Sequence, residues 1–325
     1  MLNAESKNRN TDKTRKVYAV GETVWDIIFK NGTPLAARPG GAMLNTAISL
    51  GRCGIPSSFI SEIGNDEPGR MIFDFLARNK VTTEHVQRYS DGKTAIALAF
   101  LDGDNNADYS FYKHYPKERL TIDFPDVSEN DIVLFGSFYA ITREIHENLM
   151  RFIRYARKAK ALIIYDPNFR KPHLDKIESL RPLIVENISL ADIVRGSSED
   201  FLFIFGTENP DTTFQTIRKA GCMFLLYTRN KLGVDCYYDN SHFNSPAPPI
   251  NPKSTIGAGD AFNAGVIYAL SKEKIYGKDL SLLTQKKWEE IAVTGIRFST
   301  EVCLSTENYV SFDFLKTLVN DQQIF

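Results

Sequence analysis

From Val17 onward, short, largely apolar runs alternate with segments whose apolar residues recur at helical spacing, and nothing else in the chain constrains its fold as tightly. The runs at 17–20, 132–135, 161–165 and 191–194 are short, largely apolar and bounded by polar residues, as strands buried in a parallel sheet should be, and 58–63 and 224–228 read as further strands. Segments 42–52, 69–79, 146–160 and 178–187 between them read as helices. Strand and helix in turn predict βαβ units and an α/β fold on a mostly parallel sheet. Two stretches break the rhythm. Residues 27–39 and 94–112 lack helical spacing, and the second alternates through Ile96, Leu98, Phe100, Tyr109 and Phe111. Asp102-Gly103-Asp104-Asn105 lies between its halves, so a hairpin is expected there. These strands are expected to form a small β lid over a cleft, within one domain spanning 17–325.

Composition narrows the function. The formal charge is −1 and 43% of residues are apolar, so there is no global basis for binding nucleic acid or an anionic membrane. No run of 18 apolar residues exists to span a bilayer. Residues 1–16 are polar and charged, without the apolar core of a secretory signal, and are expected to be a disordered tail. Cysteines at 53, 222, 236 and 303 show no disulfide ladder, which suits a reducing, cytoplasmic setting. The five histidines are scattered singly, so a zinc site is not expected.

The segment richest in chemistry is Ser254-Thr255-Ile256-Gly257-Ala258-Gly259-Asp260-Ala261-Phe262, which follows a proline-rich lead-in and opens a helix reaching about Ser271. Gly257 and Gly259 allow a tight turn, so that several N–H groups can converge where the helix start already favours an anion. Asp260 stands in that same turn. Donors for a transferring phosphoryl group beside a carboxylate for the attacking hydroxyl's proton suit phosphoryl transfer. A dinucleotide fingerprint would need glycine where Phe262 stands, and a Walker loop would need glycine at Gln87. A second segment, Pro39-Gly40-Gly41-Ala42-Met43-Leu44-Asn45, sets paired glycines before a helix with Asn45 one turn in. Its glycines allow a ligand close to the backbone, and an amide both donates to and accepts from a hydroxyl.

Taken together, G-E-x-x-x-D at 21–26, P-G-G-A-x-x-N at 39–45, D-P-N-x-R at 166–170 and T-x-G-A-G-D at 255–260 resemble the ribokinase-like, PfkB-type carbohydrate kinases, especially their fructokinase branch. The resemblance implies a three-layer αβα core with a small β lid, and use of ATP with Mg2+. It makes Asp260 the base and the Gly257, Ala258 and Gly259 backbone the anion hole. Asp26, Gly40, Gly41 and Asn45 would hold a sugar, with Lys113 at its mouth and Arg170 facing the transferred phosphate. Ser197, Thr228 and Gly233 would lie near the nucleotide. Asp200 or Glu199 would serve the metal, directly or through water. A homodimer through the lid is a further expectation.

Three positions depart from the family pattern. Ser197-x-x-Asp200 stands for the usual N-x-x-E, Asn230 replaces the first glycine of the nucleotide turn, and Ser254 replaces an aspartate that in relatives helps bind an activating monovalent cation. Potassium activation is therefore not expected. Two further readings stand beside a fructose kinase. One is a non-catalytic sugar or nucleotide binder, which would have little use for Asp260. The other is a kinase for 2-keto-3-deoxygluconate, ribose or a nucleoside. A nicotinamide-dependent dehydrogenase fails for want of the dinucleotide fingerprint.

Overall fold

Every apolar run expected as a strand belongs to one sheet. The computed structural model describes residues 14–102 and 107–321. In chain order the strands of this sheet are β1 (Val17–Val20), β4 (Ser57–Gly64), β5 (Val81–Thr82), β6 (Val86–Tyr89), β9 (Ile132–Gly136), β10 (Leu162–Asp166), β11 (Ile193–Ser197), β12 (Phe224–Thr228), β13 (Val234–Tyr238) and β14 (Ser241–Ser245). They lie in the order β14-β13-β12-β11-β10-β9-β1-β4-β5, with β6 beside β4. Pairing is parallel from β12 through β1 to β4, β5 and β6, and antiparallel only at β13 and β14. The chain enters at β1, builds outward through β4, then returns to β9 on the other side. Such a reversal leaves a crevice beyond the carboxyl ends of the strands, where ligands bind in open α/β sheets.

Successive residues of a strand face opposite sides, which is why β1 is apolar at every position. Val17 and Ala19 join the core under α1 (Ala42–Arg52), α2 (Glu67–Arg78), α7 (Ala258–Lys272), α8 (Gln285–Cys303) and α9 (Phe314–Asp321). Tyr18 and Val20 join the opposite core under α3 (Arg143–Lys158), α4 (Ile177–Leu190), α5 (Ser198–Phe205) and α6 (Pro210–Lys219). The result is three layers, helix, sheet and helix, as expected.

The two irregular stretches form a second sheet from β2 (Val24–Lys30), β3 (Thr33–Gly40), β7 (Lys93–Leu101) and β8 (Ala107–His114), in the order β3-β2-β7-β8. Strands β7 and β8 pair antiparallel as the hairpin reading required, although residues 103–106 of its turn lie outside the described residues. Register puts Asp26, Ala97 and Phe111 on one face and Ile27, Leu98 and Phe100 on the other.

One boundary needs correction. The expected tail ran to residue 16, and residues 1–13 lie outside the described residues. Arg15, however, donates to the carbonyls of Asn130, Leu270 and Ile275 and stacks on Tyr276. Its guanidinium ties the end of α7 to the residues that follow, adding a donor to the Leu270 carbonyl, which already accepts from the Ile275 N–H at 2.9 Å. The docked chain therefore begins two residues earlier than its polar composition suggested.

Candidate active site

The start of α7 is built around Gly257, whose φ of +81° favours glycine. A Cβ there would meet the carbonyl oxygen of Asn308 at 2.5 Å, so the loop after α8 packs directly on the turn. Side chains cap α2, α5, α6 and α8 at Asp66, Ser197, Asn209 and Thr284, whereas α7, like α1, α3 and α4, has no side-chain cap. Of its first-turn N–H groups, that of Ala258 donates to the Thr255 carbonyl at 3.3 Å, while no side-chain oxygen caps those of Gly259 and Asp260. The Asp260 carboxylate is buried in that turn and accepts from Asn45 Nδ2 at 2.8 Å. Thr46 Oγ1 donates to the Asp260 carbonyl at 2.9 Å, so two residues of α1 hold this one residue of α7. Burial pushes the Asp260 carboxyl up to about 6, against the pull of Asn45, Arg170 and Arg195. A carboxylate so poised near neutrality is suited to take a proton.

The glycine pair at the start of α1 meets the lid. Gly40 lies against Asp26 so closely that a Cβ would sit 1.9 Å from Asp26 Oδ2, and one on Gly41 (φ +132°) would meet the Glu22 carbonyl at 2.4 Å. Burial raises the Asp26 carboxyl to about 7, opposed by the charge of Arg38 across the strand pair. Asn45 Oδ1 is buried with no hydrogen-bond partner among the described residues, which leaves an acceptor beside Asp260. Lys113 is already engaged. Its ammonium donates to both oxygens of Glu22, at 2.7 and 2.9 Å, and Tyr115 also donates to Glu22. Arg170 is exposed, and its charge reaches Asp260.

Beneath the start of α7 lies a polar cluster that sequence reasoning missed. Asp166 is fully buried at the end of β10 and accepts from Arg195 Nη1 at 3.0 Å and from Asn263 Nδ2 at 2.6 Å. Arg195 Nη2 donates to Thr228 Oγ1 at 2.9 Å, and the guanidinium lies so close under Gly259 that a Cβ there would come within 2.8 Å of it. One ion pair thus ties β10, β11, β12 and α7 at the ends where the crevice opens. The motif 166–170 held Asp166 in view, but its partners become visible only once β10 and β11 are in register.

The candidate nucleotide and metal residues sit at the same ends. Ser197 and Asp200 form a capping box for α5, in which Asp200 Oδ2 accepts from the Ser197 N–H and hydroxyl. Burial and nearby Asp166 raise the Asp200 carboxyl, and Glu199 is exposed. No group of three or more metal-ligating side chains occurs among the described residues. Gly233 has φ +86°, and a Cβ would meet the Ser245 carbonyl at 2.0 Å, so this glycine closes the β12–β13 turn. A groove of about 580 Å³ lies between the proline-rich lead-in and α8, lined by Pro246, Pro248, Ile296, Thr300, Leu304 and Phe314 among others. The lead-in is held to the end of α8 by the Lys253 and Ser254 N–H groups, both donating to the Cys303 carbonyl.

The model of the pfkB family of carbohydrate kinases matches residues 14–307. The chain belongs to that family. Among curated relatives of this pfkB protein, a probable fructokinase-7 of Arabidopsis thaliana is 28% identical over 272 residues, covering 82% of this chain and 78% of the relative. Among solved structures, a fructokinase of Vibrio cholerae O395 in its fructose-, ADP- and calcium-bound form matches with a TM-score of 0.82 at 21% identity, covering 92% of this chain and 96% of that one. An aminoimidazole riboside kinase of Salmonella enterica, complexed with aminoimidazole riboside and an ATP analogue, matches at 0.80 and 20%, covering 94% and 99%. The fold of this family member is therefore ribokinase-like, with the mixed sheet as its lid.

Proposed function

We propose that this pfkB-family chain is an ATP-dependent sugar kinase with fructose as the leading substrate. The observation that carries the reading is a buried carboxylate, Asp260, set in the uncapped first turn of α7 and held there by Asn45. A sugar hydroxyl gives its proton to Asp260 as its oxygen bonds to the γ-phosphorus. The bond from that phosphorus to the β–γ bridging oxygen breaks, and ADP leaves. The N–H groups of Gly257 to Asp260 stabilise charge on the transferring group, and Arg170 adds its own. Asp26 and Asn45 orient the hydroxyls.

The groove walled by Pro246, Pro248 and Ile296 has the size and apolar character for a purine, with Thr228 and Gly233 nearer the phosphates. Mg2+ would come with the triphosphate, as this ion commonly does, and supply charge neutralisation there. The chain would offer it Glu199 and Asp200, through water, and no cluster of three or more ligating side chains occurs among the described residues.

Fold likeness to a fructokinase and to a riboside kinase is nearly equal, so fructose rests on the sequence relatives. The Lys113–Glu22 pair adds a preference. With its charge matched by a carboxylate, Lys113 is not poised for an anionic sugar such as 2-keto-3-deoxygluconate. A coupled ATPase assay over fructose, other hexoses, ribose, nucleosides and 2-keto-3-deoxygluconate should show highest kcat/KM for fructose. No sugar-dependent ADP release with any of them would overturn the kinase reading in favour of a binder. Two copies would pair through the lid face carrying Phe100 (43% exposed) and Tyr112 (61% exposed), and sedimentation showing only monomer at assay concentrations would refute that.

A further inference from the structure

Arg38 stands in β3 directly across from Asp26 in β2, on the lid, yet its side chain does not stay there. Its Nη1 donates to the Thr306 carbonyl at 2.9 Å, in the loop that follows α8. Two residues on, the backbone of Asn308 packs against Gly257, the residue that lets the anion turn form. The far end of this loop is held to α1, where Arg52 Nη1 donates to the Val310 carbonyl at 2.9 Å and the Val310 N–H donates to Ser49 Oγ at 3.4 Å. Arg38 Nε is buried with no hydrogen-bond partner among the described residues. The charge of Arg38 is felt by Asp26 and by Tyr109 on β8.

These contacts form a continuous path from the lid strand that carries Gly40 to the loop that supports the start of α7. We propose that Arg38 is a positioning residue that couples the sugar side of the cleft to the nucleotide side. Nucleotide at the start of α7 steadies the Thr306–Asn308 loop, and through Arg38 that steadies β3 beside Asp26. Because linkage is reciprocal, sugar must strengthen nucleotide binding by the same factor. A residue that merely braced the lid would affect both affinities without changing their ratio.

The inference rests on the kinase reading, and the experiment separates the two. Calorimetry would measure fructose affinity with and without a saturating non-hydrolysable ATP analogue, in wild type, Arg38→Met and Arg38→Lys. Amide exchange over residues 33–40 would be followed with the analogue alone. Wild type should bind fructose several-fold more tightly with the analogue, and the analogue alone should slow exchange in β3. Arg38→Met should bring the affinity ratio close to one and abolish the slowing, and Arg38→Lys should retain part of both. Wild type that binds the analogue without either effect overturns the coupling and leaves the kinase reading standing, as does Arg38→Met with the wild-type ratio. Wild type that neither binds the analogue nor turns over a sugar removes both.

Discussion

Asn45 Nδ2 donates to Asp260 Oδ2 across 2.8 Å, joining the first turn of α1 to the first turn of α7. Two motifs separated by more than two hundred residues thereby become one site. In the proposed mechanism Asn45 does more than hold hydroxyls. Its amide also favours the ionised form of Asp260, against the burial that raises that carboxyl to about 6.

The pH profile follows from this bond. Asp260 works as a base only when ionised, so kcat/KM should fall as pH drops through about 6, and Asp26, near 7, should broaden that limb upward. Asn45→Ala removes a bond that lowers the Asp260 pKa, so its acid limb should move to higher pH. Sugar affinity should fall by roughly 5–150-fold, for about 1–3 kcal/mol. An Asn45→Ala profile superimposable on wild type would show that the amide does not act on the base. The same burial makes ionised Asp260 costly to the fold. Its folded pKa lies above the unfolded value of 3.8, so the cost appears as pH rises above about 4 and is complete above about 6. Asp260→Asn should therefore melt higher than wild type at pH 8, with the difference shrinking toward pH 5.

Arg195 should prove as important to turnover as residues that the motifs advertise. Arg195→Met leaves Asp166 buried with its charge unmatched and frees the space under Gly259. We expect kcat to drop about 10²-fold or more with KM for sugar changed much less, and Arg195→Lys to recover part of the loss. Unchanged kcat in a folded Arg195→Met protein would mean the clamp does not hold the anion turn.

Much of this was legible in the sequence, for physical reasons that differ by residue. Apolar runs such as 132–135 and 224–228 announced buried strands, because a strand covered on both faces cannot hide its composition. Gly40 and Gly257 were legible because only glycine meets the demands of close approach or positive φ. The helix α8 was overlooked, although Trp288, Ile291, Ala292, Gly295 and Ile296 recur at helical spacing. The Arg195–Asp166 pair was not legible at all. It joins residues 29 apart through parallel register, which no local pattern encodes.

Arg15 makes a test of where the folded chain begins. Removing residues 1–13 should leave the melting temperature unchanged, whereas removing 1–16 takes the Arg15 donors from the carbonyls of Asn130, Leu270 and Ile275. Loss of these bonds should lower Tm by about 2–4 °C. Equal melting of both truncations would contradict the docking of Arg15.

Potassium should activate this protein weakly or not at all. Ser254 Oγ accepts from the Ile256 N–H at 3.2 Å, so the hydroxyl closes its own turn, and it brings no charge to offset the ion's desolvation. Initial rates against potassium chloride, balanced with tetramethylammonium at fixed ionic strength, give the answer. Saturable activation of several-fold would show a cation site that does not need an aspartate at 254.

The central claim is that Asp260 takes the proton from the sugar, and saturating turnover by Asp260→Asn tests it most directly. Asparagine preserves the shape of the side chain and an oxygen for Asn45, but it cannot accept the hydroxyl's proton. With fructose and ATP saturating, we expect kcat to fall roughly 10²–10⁴-fold while fructose affinity stays within a few-fold. A kcat near that of wild type would contradict the assignment of the base and, with it, the mechanism built on the start of α7.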